Sequence, residues 1–493
     1  MDQRVTKRKQ VGSKTKRGGK AAPKDLRTFL AAIERTGDLI QVKDKVDWDQ
    51  ELAGLGRISC ERNGPAFMFN AVRDYPGWRV CANPVANWRR YAVALGLPAD
   101  TSVRGLYEMY AEREQQAIRP VTVRGGPCKE VVIPGDKVDL FDLPVPMVHE
   151  GDGGRYLGTW DLVVSKDADS NWVNWGMYRF MVHNEKLLTG YPRPNSHLGK
   201  MLLDGYVPKG RPMPIAIVIG ADMPSHLAAT ATFKIGGSEA ELAGGLGQRP
   251  VELTRCETSN LLVPASAEIV VEAEVFHDRV AQEGPYGEYP GYRSGEMGNA
   301  LCARVTAITH RKNPILTLDT TGFMDSSACS TSISGAIAIK RRLQKHGIAV
   351  GDVYIPPESG IHLAIISVKK GGADVARQVV EIITARRALI SKVIVVDDDV
   401  DVFNMAAVIH AFSTKCHPVR GYHPVEYTGR ANALTPAYSL EERVARKGAS
   451  VAFDSTWPAD WPKKDIPIRA TLDAMYSPQV QKKVLARWKK LGL

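Results

Sequence analysis

No stretch of this sequence approaches the roughly 18 uninterrupted apolar residues that a membrane-spanning helix needs, and no apolar secretory segment opens it. The expectation is a soluble, cytoplasmic protein with no membrane partner. Cysteine is sparse as well. The seven present (Cys60, Cys81, Cys128, Cys256, Cys302, Cys329 and Cys416) are odd in number, scattered and never paired as CxxC. That excludes a disulfide framework and a thiolate zinc site, leaving buried free thiols. The body also lacks a nucleic-acid-binding motif or a basic helix, so no nucleic-acid partner is expected. The formal charge of +11 does not contradict this, because residues 1–24, MDQRVTKRKQVGSKTKRGGKAAPK, supply +8 of it. Such a run reads as a disordered, solvated basic tail; RNA, an anionic membrane or a transit function are the other readings of it.

What is present suffices for about three domains: 493 residues, 44% of them apolar. In DLRTFLAAIERTGD, Leu26, Phe29, Leu30 and Ile33 share one helical face, with Asp25 as N-cap and Gly37 as stop. From there to residue 125, helical and strand-like pieces alternate, which reads as an α/β domain over 25–125. Over 126–325 the texture turns β-rich, through KEVVIP, GTWDLVVSKD, NWVNWGMYRFMVHN, PIAIVIG, VELTRC, AEIVVEAEVF, ALCARVTAIT and NPILTLD. That pattern suggests a barrel-like sheet with helical insertions. A helical stretch, TSISGAIAIKRRLQKHG, falls in the connector 326–349, and a strand–helix–strand pattern beyond it predicts a third, α/β domain over 350–493. The chain closes on SPQVQKKVLARWKKLGL, whose Val480, Val484, Leu485 and Trp488 form an apolar stripe suited to docking on a neighbour or on its own core.

Two acidic patterns invite chemistry. In VVDDDVDVFN, Asp397, Asp398, Asp399 and Asp401 lack the glycine turn and distal glutamate of a calcium loop, so they read as a strand end and the cap of the next helix. In EGPYGE, Gly284 and Pro285 predict a turn that folds Glu283 and Glu288 toward one pocket, where like charges would hold one acid protonated. On the bare motif, glutamates flanking a surface turn are most often just solvated; a neighbouring arginine would change that balance.

EGPYGEYPGY, with HEGDGGRYLGTWD at 149–161, NWGMYR at 174–179, SEAELAGGL at 238–246 and VELTRCETSNLLVPASAEIVVE at 251–272, resembles the UbiD family of reversible decarboxylases, which use prenylated FMN. The similarity runs from about Leu26 to the C-terminus. It implies a three-part fold: an N-terminal α/β domain, a central split β-barrel that holds the flavin, and a C-terminal α/β oligomerisation domain with a terminal docking helix. It implies a catalytic trio of Arg179, Glu283 and Glu288, in which Arg179 holds the substrate carboxylate, Glu283 fixes Arg179, and Glu288 donates the proton after CO2 leaves a covalent cofactor–substrate adduct. Further implied are Mn2+ or Mg2+ on Asn174, His197 and Glu239, and K+ near Trp175, Ala228, Ala229, Ala231 and Glu239. Flavin contacts are implied at Thr159, Trp175, Gly176, Met177, Tyr178, Ser196 and Thr230. The substrate would be a small aromatic acid, hydroxybenzoate-like or heteroaryl. A flavin prenyltransferase would supply the cofactor, and the chain would assemble as a homodimer or hexamer.

The parity of Asn174 and Arg179 puts them on opposite faces of a regular strand, so a bulge at Gly176 is expected. Two positions depart from the family: Ser450 replaces a phosphate-contacting lysine, with Lys447 as a possible substitute, and Thr331 replaces a histidine. Competing classes are a glycosidase, which needs carboxylates about 5–9.5 Å apart, a split-barrel flavin reductase using ordinary FMN, and an RNA-binding role for the tail.

Overall fold

Asp25 starts the first helix as the sequence suggests. Its carboxylate accepts the Thr28 N–H while the Thr28 hydroxyl receives the Asp25 N–H, a reciprocal box that satisfies two end groups of Leu26–Arg35. Leu26, Phe29, Leu30 and Ile33 are all buried on one side of it, each contributing about 1.5–3 kcal/mol. The computed structural model describes residues 21–190, 192–293, 297–385 and 389–492. The basic tail expected at 1–24 lies outside them for residues 1–20. Its end does not follow the expectation: Ala22 is buried and its N–H donates to Gly247 O at 3.2 Å.

The chain divides into two units. One comprises the chain through Ile339 with Tyr354–Leu363 and Asn432–Val444; the other comprises Lys340–Val353, Ala364–Ala431 and the chain from Ala445. In the first, Leu39–Val46, Ala66–Val72, Arg79–Ala82 and Ile315–Leu318 form a four-stranded sheet in that order. Ile315–Leu318, expected to belong to the β-rich region, pairs parallel with Arg79–Ala82 instead. Its four buried residues are all apolar or hydrogen-bonded, so either sheet could have taken it on pattern alone.

The nine-stranded sheet positions the site. Its strands run in the order Tyr156–Leu157, Phe180–Val182, Leu187–Gly190, Gly298–His310, Ile269–Glu283, Met213–Ile219, Asp161–Lys166, Val173–Gly176, with Val131–Pro134 also paired to Gly298–His310. Period-2 alternation sends Val163, Ile215, Ile217, Ile219, Ile269, Val271 and Ala273 into one core. Phe180–Val182 and Val173–Gly176 are six steps apart in this order, about 29 Å in a flat sheet at 4.8 Å per strand. Yet only Met177, Tyr178 and Arg179 join them, a reach of at most about 14 Å. The sheet therefore curls until its two ends approach each other. The connector lies where they meet.

In the second unit, Val350–Tyr354, Leu363–Val368, Lys392–Asp397, Gly448–Ser455 and Tyr422–Tyr427 form a five-stranded sheet. The acidic run ends the Lys392–Asp397 strand, but the cap of Met405–Lys415 is Asn404, whose side chain accepts the Ala407 N–H. Asp397 pairs with Lys415 at 2.7 Å. Helix Pro478–Lys490 is capped by Ser477 and leaves Val480, Val484, Leu485 and Trp488 exposed on the single chain. All seven cysteines are free thiols. Among the described residues, no helix is long and apolar enough to cross a membrane.

Candidate active site

The long strand Ile269–Glu283 delivers Glu283 to the rim of the curled sheet, and the next residues turn sharply at a cis Gly284–Pro285 bond. Tyr286 is 2% exposed, and the Thr321 hydroxyl reaches both its hydroxyl, at 2.8 Å, and Gly287 O, at 2.7 Å. The Gly287 N–H donates to Asp152 Oδ1 at 2.9 Å; the other oxygen of Asp152 meets His149 Nδ1 at 2.9 Å, and His149 Nε2 lies 3.1 Å from Thr321 O. Two glycines make this interlock possible. A side chain at Gly153 would strike the Gly284 carbonyl, and one at Gly287 would come within 2.6 Å of the His149 ring. The HEGDGG and EGPYGE segments are thus two halves of one clasp.

The clasp presents both glutamates to a single guanidinium. Arg179 Nε and Nη2 each stand 3.2 Å from Glu283 Oε1, and Nη1 is ion-paired with the Glu288 carboxylate. The Tyr156 hydroxyl donates to Glu283 Oε1 at 2.8 Å. Tyr156 and Tyr286 pack at 4.2 Å between ring centroids, with the guanidinium 5.8 and 5.1 Å from the two rings. Burial, and for Tyr156 the adjacent Glu283 charge, pushes both phenols well above their ordinary ionisation range, so both remain hydrogen-bond donors. Arg179 keeps a third of its side chain accessible. A guanidinium held from behind and open in front can grip a carboxylate.

A second cluster stands on Val173–Gly176, against which the helices Met223–Ala229 and Glu239–Gly247 pack. Asn174 and Glu239 are each 2% exposed. Asn174 Oδ1 lies 3.0 Å from His197 Nδ1, and Asn174 Nδ2 is buried without a partner. Glu239 Oε2 accepts the Trp175 N–H at 3.2 Å. Burial nonetheless pushes its pKa up to about 7, the two backbone hydrogen bonds offsetting only part of the cost. Burial, then Lys200, lowers His197, which keeps the imidazole neutral and fit to ligate. These residues suit a hard divalent cation: at bonds of about 2.1 Å and right angles, adjacent ligand atoms stand about 3.0 Å apart. Among the described residues no three His, Cys, Asp or Glu side chains are grouped so that they could hold a metal ion by themselves.

The expected bulge at Gly176 is replaced by a break. The strand ends there and Phe180 begins another strand elsewhere in the sheet, so face parity never applies to Asn174 and Arg179. What approaches Gly176 is the Tyr178 ring, 2.6 Å from where a side chain would begin. The Tyr178 hydroxyl accepts the Leu198 N–H, next to Ser196, which caps His197–Lys200. Met177 is half-buried. Thr159 Oγ1 accepts the Asp319 N–H at 2.9 Å, leaving its own proton available, whereas the Thr230 hydroxyl donates to Leu227 O. Ala228 and Ala229 are buried, Ala231 half-buried. In the second unit Ser450 is sequestered: its hydroxyl meets Tyr427 Oη at 2.7 Å and Ile390 O at 3.1 Å, while Lys447 is exposed. Thr331 is half-buried on Ser326–Lys345. Sequence reasoning passed over Tyr156, His149, Asp152 and Thr321. The first three lie inside a motif it quoted, and the paired glycines there were the available signal.

A curled mixed sheet thus brings one partly open arginine against two acids, Glu283 and Glu288, and carries a second buried cluster of Asn174, His197 and Glu239; the proteins that the chain resembles are carboxy-lyases. Models of the 3-octaprenyl-4-hydroxybenzoate carboxy-lyase match residues 30–110 (N-terminal domain), 119–323 (Rift-related domain) and 331–454 (C-terminal domain). Pyrrole-2-carboxylic acid decarboxylase of Pseudomonas aeruginosa is 30% identical over 490 residues, covering 95% of this chain and 98% of that protein. Vanillic acid decarboxylase of Sedimentibacter hydroxybenzoicus in its closed form superposes with a TM-score of 0.83 at 27% identity, covering 95% and 98% of the two chains. An evolved dimeric form of HmfF, a UbiD-class enzyme of Pelotomaculum thermopropionicum, in complex with prFMN, gives 0.76 at 27% identity over 90% and 97%. The chain belongs to the UbiD family.

Proposed function

We propose that this protein is a prenylated-FMN-dependent, non-oxidative and reversible decarboxylase of a small aromatic or heteroaromatic carboxylic acid. The observation that carries the reading is Arg179 held between Glu283 and Glu288 with part of its surface open. Arg179 binds and orients the substrate carboxylate. Glu283, anchored by Tyr156, keeps the guanidinium aimed. Glu288 delivers a proton to the ring carbon that CO2 vacates, or removes it in carboxylation. The buried faces of Tyr156 and Tyr286 keep water from the arginine. When bound, prenylated FMN supplies the electron sink that an aromatic ring-carbon anion lacks.

Asn174, His197 and Glu239 would hold Mn2+ or Mg2+, a reading supported by the 3.0 Å spacing and by the uncompensated burial of Glu239. K+ would sit on Glu239 with main-chain groups of Trp175, Ala228, Ala229 and Ala231. Thr159, Trp175, Gly176, Met177, Tyr178, Ser196 and Thr230 would border the flavin. The curled sheet supports a split β-barrel over most of 126–325, with 25–125 as N-terminal domain, 326–349 as linker and 350–493 as oligomerisation domain. The bare apolar stripe of Pro478–Lys490 would dock on a neighbouring copy in a dimer or hexamer. A flavin prenyltransferase is the expected cofactor source.

The test is a CO2-release screen of aromatic acids with protein coexpressed with a flavin prenyltransferase, alongside Glu288→Gln. Release by the wild type and its loss in a folded variant is the expected result. Ordinary FMN in the protein, or unchanged turnover in Glu288→Gln, would refute the assignment.

A further inference from the structure

The two glutamates on Arg179 are held unequally. Glu283 is clamped from both sides, by the Tyr156 hydroxyl at 2.8 Å and by Arg179 at 3.2 Å, at the end of a paired strand. Glu288 sits in a loop, 7% exposed, and Arg179 is its one side-chain partner among the described residues. Together the acids engage Nε, Nη1 and Nη2 of the guanidinium. These contacts use three of its five N–H groups; an incoming carboxylate that competes for the Nη1 edge of the fork meets Glu288, the acid with less to lose.

We infer that substrate binding exchanges one carboxylate for another on Arg179 and draws one proton from solvent onto the displaced Glu288, arming the acid before CO2 leaves. This rests on the function proposed above. Once displaced, Glu288 would be a buried carboxylate beside a second negative charge with its counter-charge taken, and a proton relieves both penalties. The neighbouring groups are engaged elsewhere: Glu283 on Arg179 and Tyr156, and His149 and Asp152 with each other, while Tyr156 and Tyr286 are neutral phenols. Arg293 and Arg57 keep their charge but are held on the carbonyls of Glu150 and of Thr320 and Phe323, and among the described residues neither is ion-paired with Glu288. Tyr156 is then a positioning residue: its hydroxyl determines which acid yields.

The experiment is calorimetric titration of the cofactor-loaded enzyme with benzoate, and with phenylacetate as a second probe, in phosphate and in Tris near pH 7.5. The buffers' different ionisation heats report protons taken up. About one proton per bound carboxylate is expected in the wild type and in Glu283→Gln, and none in Glu288→Gln. In parallel the wild-type Kd should rise about tenfold per pH unit, and the Glu288→Gln Kd should not. Binding without proton uptake in the wild type, or full uptake in Glu288→Gln, overturns the exchange while leaving the decarboxylase reading intact. Failure of both probes to bind removes the carboxylate grip of Arg179, and with it both readings.

Discussion

Glu283, half-buried, meets Arg179 in the connector between the two ends of the curled sheet, and Glu239, buried, meets Trp175 just before it, yet they are provided for differently. Glu283 finds a guanidinium and a phenol within the chain. Glu239 finds only backbone N–H groups, and its pKa rises to about 7. One half of the site is electrostatically complete as a polypeptide. The other half leaves Glu239 without a charged partner among the described residues. Under the function proposed above, that is where the cation would sit.

The largest expected effect tests the complete half. Glu288→Gln in the loaded enzyme should lower CO2 release by about 10²–10⁴-fold, the usual span for a positioned proton donor, with thermal unfolding unchanged. Next is the incomplete half. A raised carboxyl pKa means that the cation-free protein binds an extra proton when folded; the Glu239 contribution to stability should be fully present below pH 4.5 and be lost as pH climbs through about 7. Adding Mn2+ should remove that decline, and Glu239→Gln should abolish both the slope and the Mn2+ effect, as read by thermal melts from pH 4 to 8. The clasp comes third. Gly153→Ala drives a methyl into the Gly284 carbonyl and should cost about 1–3 kcal/mol, with kcat reduced more than KM because Glu283 and Glu288 shift together.

Asp161 supplies a reference with no functional assignment. It is fully buried on the inward face of its strand, among the described residues neither carboxylate oxygen has a partner beyond its own backbone, and burial raises its pKa well above the ordinary range. Stability tied to it is present at low pH and lost as pH rises, so Asp161→Asn should stabilise the protein at pH 8 by about 1–3 kcal/mol. Unlike Glu239, it should show no response to Mn2+.

Much of this was legible before any coordinates. The first helix followed from spacing and capping, and most strands of the curled sheet from alternation; Tyr156–Leu157 and Leu187–Gly190 were passed over, and VELTRC pairs in a separate three-stranded sheet. The trio followed from two short motifs, NWGMYR and EGPYGE, once the family resemblance was admitted. What escaped shares one physical origin, namely contacts between residues far apart in sequence. NWVNWGMYRFMVHN reads as one strand because nothing local marks the break at Gly176; the break follows from the sheet order, which places its two halves on strands six steps apart. NPILTLD has the pattern of any buried strand, and only the partner at Arg79–Ala82 determines its sheet. Tyr156 earns its place beside Glu283 across 127 positions, a pairing that no window could reveal.

The most direct test is a crystal structure of the cofactor-loaded enzyme soaked with a bound aromatic acid. The account predicts the acid's carboxylate on the Arg179 fork, Glu283 still held by Tyr156, and Glu288 swung off the guanidinium toward the ring carbon. A carboxylate bound away from Arg179, with Glu288 still paired to it, would contradict the account.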